Sequence, residues 1–246
     1  MGGETRDAFR EDAYLETLDA TLLRIDGERG LVFDASNFFA SGGGQPGDRG
    51  VAEFEDGARV GIVDTVYGED KRAIVLLAAE GAALPPPGAR ATLRLDWERR
   101  HRLMRMHTAM HLLTVVCPYP VTGAAVGEEE SRIDFDLPDM EADKAEITAR
   151  LMQLVEADHP VFTRWITEAE LDAQPDLVKS ANVKPPRGAG RVRLVCIGEE
   201  AEVDSQPCGG THVRSTAEID AVHIGKIEKK GRSNRRFRLR FGASPA

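Results

Sequence analysis

Short apolar runs separated by turn residues fill the first part of the chain. The runs lie between residues 13 and 95 and read TLLRI, GLVF, GVAEF, ARVGIVDTVY, RAIVLLA and ARATLRL. Gly, Asp and Pro separate them and no long helical periodicity interrupts them, a pattern that predicts β-strands. Regular short strands of this kind are typical of a small barrel or sandwich. The LPPPG stretch at residues 84–88 predicts a rigid loop inside this unit, because another apolar run follows it at once.

Helical periodicity begins near Asp96. Between Glu98 and Val116 the apolar residues at helical spacing are Leu103, Met106, Met110 and Leu113. This spacing places them on one face and predicts a helix, which Pro118 ends. The change from strand pattern to helix pattern predicts two domains, residues 1–96 and residues 97–246.

The rest of the chain mixes helical and strand patterns. A helix is predicted from about Glu141 to Ala157, and its inner face carries Ile147, Leu151, Leu154 and Val155. Thr167 and Glu170 have the spacing of a capping box, which predicts the start of a short third helix. Residues 191–198, RVRLVCIG, and the arginine-rich run near the C-terminus predict strands. Together these patterns predict an α+β fold, in which a small β-barrel precedes helices packed on an antiparallel sheet.

Composition narrows the class of protein. The chain has 246 residues, of which 41% are hydrophobic and 30% charged, a balance typical of soluble globular proteins. The sequence contains no run of 18 apolar residues and no apolar N-terminal signal, so we expect a cytoplasmic protein with no membrane partner. The three cysteines, Cys117, Cys196 and Cys208, argue against a disulfide scaffold. We expect Cys117 and Cys196 to pack in the core, which leaves Cys208 as the candidate for metal binding.

The charge of the chain is unevenly distributed. The net charge of -9 argues against broad nonspecific binding of nucleic acid. The segment from Lys226 to Arg240, KIEKKGRSNRRFRLR, nevertheless holds eight basic residues and a single acid, Glu228. An acidic body with one basic end predicts a local contact with an anionic partner. The alternative is a solvated amphipathic strand.

Two pairs of residues form a candidate metal site. His107 and His111, in MHTAMH, are spaced i, i+4 and lie on one face of the predicted helix. Cys208 and His212, in QPCGGTHV, can supply two further ligands if the two glycines bend the chain tightly. Each pair alone is more often packing or surface chemistry. Both pairs in one chain predict a His3Cys site for a tetrahedral zinc ion.

The residues leave two roles open for such a zinc ion. Thr108 occupies the position of the glutamate base in the His-Glu-x-x-His motif, which argues against a zincin-type protease. Zinc is then either structural, with four protein ligands engaged, or it binds a substrate or a water molecule when one ligand is loose.

A glycine-rich segment, SNFFASGGGQPGDRG at residues 36–50, is the second candidate site. Three consecutive glycines lose much conformational freedom on folding, so such a run indicates a backbone that turns sharply or passes close to another group. A hairpin turn between strands is one interpretation. A phosphate-binding loop is not supported, because no Gly-Lys-Ser/Thr and no helix follow. A third interpretation is that Gln45 and the backbone N–H groups face a ligand site.

The three motifs together resemble those of the AlaX proteins, freestanding relatives of the alanyl-tRNA synthetase editing domain. GGGQPGDRG, HTAMHLL and QPCGGTHV occur in this order, and the resemblance extends from about Tyr14 to Phe241. The N-terminal glycine-rich unit is similar to that of the longer AlaX class. The resemblance implies an editing domain over residues 97–246, with zinc held by His107, His111, Cys208 and His212.

The resemblance also implies an activity, the zinc-dependent hydrolysis of mischarged alanine tRNA. The residues implied to bind the aminoacyl end of the substrate are Gly42, Gly43 and Gly44. The polar residues implied to act in catalysis or to recognise a serine hydroxyl are Ser36, Gln45 and Thr108. The basic residues expected to bind tRNA are Lys226, Lys229, Lys230, Arg232, Arg235 and Arg236.

Such an activity answers a selectivity problem. A pocket for alanine cannot strongly reject serine or glycine, because the differences in binding are worth only about 1–3 kcal/mol. A second site that hydrolyses the wrong ester corrects the error. Two alternatives stay open at this point, a zinc-stabilised RNA-binding module without hydrolytic activity and an editing protein for another tRNA, of the threonyl type.

Overall fold

The computed structural model describes residues 5–69, 71–137, 143–182 and 190–244. The chain divides into two compact units, Met1–Arg102 and Leu103–Ala246. The division falls inside a long helix, a few residues after the boundary predicted at residue 96. The first residues of that helix therefore belong to the first unit and the others to the second.

Strands make up most of the first unit. In chain order its elements are β1 (Arg6–Asp7), α1 (Ala8–Glu11), β2 (Thr17–Asp26), β3 (Gly30–Phe33), β4 (Ala35–Ser36), β5 (Gly50–Phe54), β6 (Arg59–Tyr67), β7 (Ile74–Ala78) and β8 (Arg90–Leu95), after which α2 (Trp97–Val116) begins. Six strands form a closed barrel in the order β2-β3-β7-β6-β5-β8, and all their pairings are antiparallel. The barrel closes because β8 pairs with both β2 and β5. The predicted β-barrel is confirmed.

Alternating side chains fill the barrel. In β6, Val60 and Ile62 are buried, whereas Arg59 before them and Gly61 between them are exposed. Successive side chains of a strand point to opposite faces, so this alternation places every second residue inside. The alternating runs of the sequence are therefore the inside and outside positions of one barrel.

The glycine-rich segment forms a tight turn in the connection between β4 and β5. Gly42 and Gln45 exchange two backbone hydrogen bonds of 3.0 Å each. Between them Gly43 has a φ of 58° and Gly44 a φ of 87°, values that glycine adopts without steric cost. Two central residues with positive φ are the signature of a type I′ hairpin turn. A tight turn of the hairpin type is therefore present, but it does not join two paired strands, because β4 pairs with β1 and β5 pairs with β6 and β8. The turn leaves Gly42, Gly43 and Gly44 exposed.

A buried ion pair holds the far end of the glycine-rich segment. Asp48 and Arg100 have side chains that are 1% and 0% exposed, and the Arg100 guanidinium donates to Asp48 Oδ2. Arg100 also donates to the backbone carbonyls of Ala13 and Asn37, at 2.9 and 2.8 Å. Asp48 Oδ2 accepts a further bond from the backbone N–H of Phe39. Arg100, at the start of α2, therefore joins both ends of the glycine-rich segment to the residues that precede β2.

The second unit contains two antiparallel sheets and the remaining helices. After α2 its elements are β9 (Val121–Ala125), β10 (Glu130–Asp136), α3 (Lys144–Glu156), β11 (Val161–Thr167), α4 (Glu168–Asp172), a 3₁₀ helix (Pro175–Leu177), β12 (Arg191–Ile197), β13 (Asp204–Pro207), a second 3₁₀ helix (Thr216–Ile219), β14 (Val222–Lys229) and β15 (Asn234–Phe241). One sheet has the order β14-β15-β10-β9 and the other the order β11-β12-β13. Helices and antiparallel sheets in one unit confirm the predicted α+β class.

The first of these sheets has one apolar face. Phe135 of β10 and Phe237 of β15 pack edge to face with ring centroids 5.2 Å apart. Helix α3 packs against β14, and the Thr148 hydroxyl accepts a 3.1 Å hydrogen bond from the Ile224 backbone N–H. This arrangement leaves the other face of the sheet to charged side chains.

The helices follow the predicted patterns with small differences. Asp96 caps α2, because its carboxylate accepts a bond from the Arg99 N–H. Ile147, Leu151 and Val155 of α3 are buried as predicted, but Leu154 is only half-buried. The predicted start of α3 at Glu141 lies outside the described residues. Within the described part of the chain, no helix is long and apolar enough to span a bilayer.

The capping box of the third predicted helix is also confirmed. The Thr167 hydroxyl accepts a bond from the Glu170 N–H, and the Glu170 carboxylate accepts one from the Thr167 N–H. The predicted strand at residues 191–198 is β12, and the arginine-rich run is β15. Other strands of this unit, β9, β10, β11, β13 and β14, were not predicted.

Arg100→Met is expected to lower the free energy of unfolding by about 3–5 kcal/mol, because it leaves the Asp48 carboxylate buried without its counter-ion. Urea unfolding followed by circular dichroism measures the loss. The control is Arg94→Met, which breaks an exposed pair with Glu53 and should cost less than about 1 kcal/mol. Equal losses in the two variants would contradict the role given to the buried pair.

Candidate metal centre

Helix α2 supplies the first half of the site. His107 and His111 lie one turn apart on it, with ring centroids separated by 5.4 Å. Both imidazoles are almost completely buried. Burial removes water from the polar ring nitrogens, so they need other polar partners. The turn after β13 provides them.

A sharp turn after β13 supplies the second half. Cys208 follows β13 directly, and two glycines and Thr211 lead to His212. Arg193 of β12 holds this turn by donating 2.9 Å hydrogen bonds to the carbonyls of Cys208 and Gly210. The Gly210 N–H points at the Cys208 sulfur, 3.4 Å away. The conformation of the turn is thus held by two hydrogen bonds from Arg193 and by one contact within the turn, between the Gly210 N–H and the Cys208 sulfur.

The two halves meet at a single cluster. One donor atom from each of His107, His111, Cys208 and His212 can be chosen so that all four lie within 4.8 Å of one another. Cys208 Sγ lies 3.6 Å from His107 Nε2 and 3.4 Å from His212 Nε2. For metal–nitrogen and metal–sulfur bonds of about 2.0 and 2.3 Å, two corners of a tetrahedron lie roughly 3.5 Å apart. The cluster therefore has the dimensions of a four-ligand metal site.

Hydrogen bonds outside the cluster orient two of the imidazoles. The Thr108 hydroxyl donates to the Met104 carbonyl and lies 3.0 Å from His212 Nδ1, so it accepts the Nδ1 proton. The Asp204 carboxylate lies 3.2 Å from His111 Nδ1 and accepts that proton in the same way. A neutral ring that donates from Nδ1 has its lone pair on Nε2, so a metal that displaces the Nε2 proton of the charged form meets a ring already oriented toward it. Both rings are therefore prepared to ligate through Nε2.

The electrostatics of the cluster favour a positive charge. Burial opposes protonation of His111, but hydrogen bonds to Asp204 and Cys208 outweigh burial and raise its pKa to about 9. Burial also opposes ionisation of Cys208, yet the nearby His107 and His212 hold its pKa well below the usual range. For His212, burial and then repulsion from His107 lower the pKa. Negative neighbours that stabilise a proton here would also stabilise a metal cation.

The four residues of the cluster differ in burial. Cys208 is half-buried, the neighbouring Gly209 is exposed, and a Cβ built on Gly209 would meet no atom within 4 Å. The three imidazoles lie on the buried side. Cys208 is therefore the least buried residue of the cluster.

Thr108 has a different environment from the one expected for a residue that contacts substrate. Its side chain is completely buried, and its hydroxyl accepts from His212 Nδ1 and the Val213 N–H while it donates to Met104. A hydroxyl has one donor and two acceptor positions, so all three are used. The structure therefore gives Thr108 the task of orienting His212, and a contact with substrate stays a prediction.

The other predicted catalytic and substrate-binding residues belong to the first unit. Ser36 is completely buried in β4, and its hydroxyl bonds to the backbone N–H and carbonyl of Phe38. Gln45 is 1% exposed. The turn formed by Gly42, Gly43 and Gly44 is the exposed part of the motif. Substrate contacts by these residues stay predictions, and for Ser36 the observed bonds indicate a role in shaping the loop.

Strand pairing neutralises part of the basic tail. Arg236 makes a two-pronged pair with Asp134, at 2.7 and 2.8 Å, across the β10–β15 pairing. Lys226 and Lys230 pair with Glu228, at 3.6 and 2.7 Å. The sequence shows one acid in this segment, but the sheet adds acids from β10. The paired side chains are therefore less available to an anionic partner than the sequence implied.

The hairpin tip between β14 and β15 keeps more of its charge. Among the described residues, Lys229 and Arg232 take part in no ion pair, and both are exposed. Arg235 is half-buried beside them and donates to the Gly231 and Asn234 carbonyls. Unpaired exposed cations are the residues best placed to contact phosphates.

Several functional side chains were missed from the sequence. Asp204, Arg193 and Lys179 have roles that depend on partners far away in the chain. Only Asp204 carried a signal, since it is a carboxylate four residues before Cys208. Zinc-binding histidines often donate their second ring nitrogen to such a group, so the signal could have been used.

Comparisons with known proteins find relatives among tRNA synthetases and tRNA editing proteins. Residues 192–238 match the family model described as the threonyl and alanyl tRNA synthetase second additional domain. The alanine–tRNA ligase of Pyrobaculum neutrophilum is 36% identical over 236 residues, which cover 92% of this chain. The match covers only 25% of that ligase, so the chain spans about a quarter of the length of such relatives.

Other relatives are similar over nearly their whole length. An alanyl-tRNA editing protein AlaX-M from Methanosarcina acetivorans is 31% identical over 234 residues, covering 92% of this chain and 94% of the relative. The protein of the same name from Saccharolobus solfataricus is 26% identical over 236 residues, covering 94% and 97%.

Thr108→Val is expected to weaken binding of a divalent metal about tenfold, because His212 loses the acceptor that orients its ring. Competition with a chelating dye measures the affinity. Thr108→Ser keeps the hydroxyl and should restore most of it. Thr148→Val removes a hydroxyl bond from another helix of the same unit and serves as the control. A metal affinity that is the same in Thr108→Val and the wild type would refute the orienting role.

Proposed function

Because the chain belongs to the AlaX family of alanyl-tRNA editing proteins, we propose that it hydrolyses mischarged alanine tRNA in trans. The mischarged amino acid that it removes is serine. Glycine is the second candidate substrate, because an alanine pocket cannot strongly reject it either. The activity requires zinc held by His107, His111, Cys208 and His212. Its place of action is the cytoplasm, as expected from the sequence.

The observation that carries the proposal is the convergence of the four donors. Three imidazoles and one thiolate within 4.8 Å form a nitrogen and sulfur donor set. Magnesium and calcium prefer oxygen ligands, whereas this set at tetrahedral spacing suits zinc. The low pKa of Cys208 and the Nδ1 partners of His111 and His212 fit the same ion.

The chain's own residues bind and orient the reacting groups. When bound, zinc supplies a Lewis acid that favours attack of water on the aminoacyl ester, either by activating the water or by aligning the substrate. Arg193 keeps the Cys208–His212 turn closed, and Thr108 and Asp204 keep two rings in place. We assign the approach of the ester to the side of Cys208 and Gly209, the less buried part of the turn.

Discrimination against alanine needs a group that recognises a hydroxyl. A site built to bond a polar group rejects a substrate that lacks it far better than an apolar pocket does. Gln45 and the exposed turn formed by Gly42, Gly43 and Gly44 are the proposed contacts to the aminoacyl end. The family resemblance supports this assignment, together with the exposure of the turn.

The basic hairpin provides the proposed contact with tRNA phosphates. Of the six residues proposed from the sequence, Lys229 and Arg232 keep their charges unpaired among the described residues, and we assign them the largest share. Lys226, Lys230 and Arg236 bind acids of the same sheet, and Arg235 bonds backbone carbonyls. Phosphate contacts of this kind weaken as salt increases.

His107→Ala is expected to lose zinc. It should hydrolyse alanine tRNA charged with serine at least about 100-fold more slowly than the wild type, since a metal Lewis acid contributes several kcal/mol. The assay follows deacylation of alanine tRNA charged with serine, glycine or alanine, and zinc is quantified in the same samples. His101→Ala is the control, because His101 stacks on Trp97 at the start of α2 and lies outside the cluster.

Three results would contradict the proposal. Hydrolysis that persists after zinc is lost would exclude a zinc-dependent reaction. Zinc and RNA binding with no hydrolysis of any ester would favour the RNA-binding module. If serine were hydrolysed faster from threonine tRNA than from alanine tRNA, the threonyl type of editing would be favoured.

The double variant Lys229→Ala with Arg232→Ala is expected to weaken tRNA binding and to reduce the slope of log affinity against log salt by about 2, roughly one per lost phosphate contact. Fluorescence anisotropy over a salt series measures both quantities. Arg24→Ala with Arg59→Ala removes the same net charge from paired residues of the barrel and is the control. An unchanged slope in the hairpin variant would exclude this tip as the contact surface.

A further inference from the structure

A buried carboxylate next to the metal cluster has no part in ligation. Asp204 begins β13, and its side chain is 0% exposed. Its Oδ2 accepts from His111 Nδ1 at 3.2 Å and from Gln206 Nε2 at 2.8 Å, and its Oδ1 accepts from Lys179 Nζ. Both oxygens of this buried group are thus satisfied, as burial of a charge requires.

Lys179 keeps Asp204 in place. The Lys179 backbone carbonyl accepts a 2.9 Å bond from the Val121 N–H at the start of β9, so the residue is fixed to a neighbouring element. Its ammonium group reaches Asp204 and also lies 3.1 Å from Thr114 Oγ1. Lys179 occupies Oδ1, so Oδ2 is the oxygen that faces His111.

Thr114 closes the network. Its hydroxyl donates a 2.7 Å bond to the His111 carbonyl and accepts from Lys179 and from Gln206, the latter at 3.2 Å. The backbone of His111 and its ring are therefore held by the same group of side chains. The ring can rotate about its side-chain bonds only if it gives up the bond to Asp204.

Asp204 also connects the two halves of the site. It accepts from a histidine of α2, and β13 runs from it directly into Cys208. The hydrogen bond therefore fixes the distance between the helix and the start of the turn that carries the other two donors. Neither half of the cluster contains this constraint by itself.

We propose that Asp204, locked by Lys179, is a positioning residue that orients His111 Nε2 toward the metal and so raises the affinity of the site. This inference rests on the proposed zinc centre. Outer carboxylates of this kind change metal affinity by about 10- to 100-fold where they have been removed.

The test compares zinc affinity in the full-length protein and its variants. Asp204→Asn weakens the acceptor for His111, and the double variant Asp204→Asn with Lys179→Met also removes the ammonium that would otherwise lose its counter-ion. Both are expected to bind zinc about 10- to 100-fold more weakly than the wild type in competition with a chelating dye. The cobalt-substituted proteins should show a shifted visible absorption spectrum, because the ligand field depends on the His111 ring. Asp134→Asn is the matched control, a buried carboxylate of the same unit that pairs with Arg236.

The results separate positioning from folding and from the proposed reaction. If the double variant unfolds at the wild-type temperature without metal but binds zinc more weakly, the positioning role is supported. Wild-type affinity and an unchanged cobalt spectrum would overturn it, and so would an equal loss in Asp134→Asn. A wild-type protein that binds zinc but hydrolyses no aminoacyl-tRNA would refute the proposed function, while the affinity comparison would still decide the role of Asp204.

Discussion

The convergence of two donor pairs on one point is the constraint on which the second unit depends. His107 and His111 come from a helix, and Cys208 and His212 come from a turn about a hundred residues later. A thiolate and three imidazoles in a buried place are poorly solvated, so their proximity is favourable when a cation is shared among them. The raised pKa of His111 and the lowered pKa of Cys208 express the same preference for positive charge. The donor cluster and its surroundings therefore have the geometry and the charge to hold a metal ion.

Side chains that do not ligate give the cluster its geometry. Thr108, Arg193 and Asp204 each bind a different part of it, and each is buried. Buried hydrogen bonds of this kind are strong, and breaking one leaves a polar group without a partner. They therefore favour a single conformation of the cluster. The first unit uses the same principle, because Arg100 and Asp48 fix the glycine-rich segment through one buried ion pair. In both units, buried polar bonds hold a glycine-containing turn that could otherwise adopt many conformations.

Sheet pairing decides which charges the protein presents. The basic tail has a large positive charge in the sequence, but β10 places Glu130 and Asp134 against its arginines. Exposed ion pairs contribute little to stability, yet they compensate charge where they form. Among the described residues, the cations of the tail that take part in no ion pair, Lys229 and Arg232, therefore lie at or next to the hairpin tip.

Local patterns in the sequence predicted the strands of the barrel, helix α2, the capping box at Thr167 and the two residue pairs that meet in the cluster, because each depends on residues a few positions apart. Strands such as β9 and β10 were missed because VTGAA and ESRIDFD combine small or charged residues with little apolar alternation. The saturation of the Thr108 hydroxyl, the bond between Asp204 and His111 and the pairing of Arg236 with Asp134 were decided only by the tertiary structure. Those interactions join residues distant in the chain, and burial and strand register, which no local pattern records, determine which partners meet.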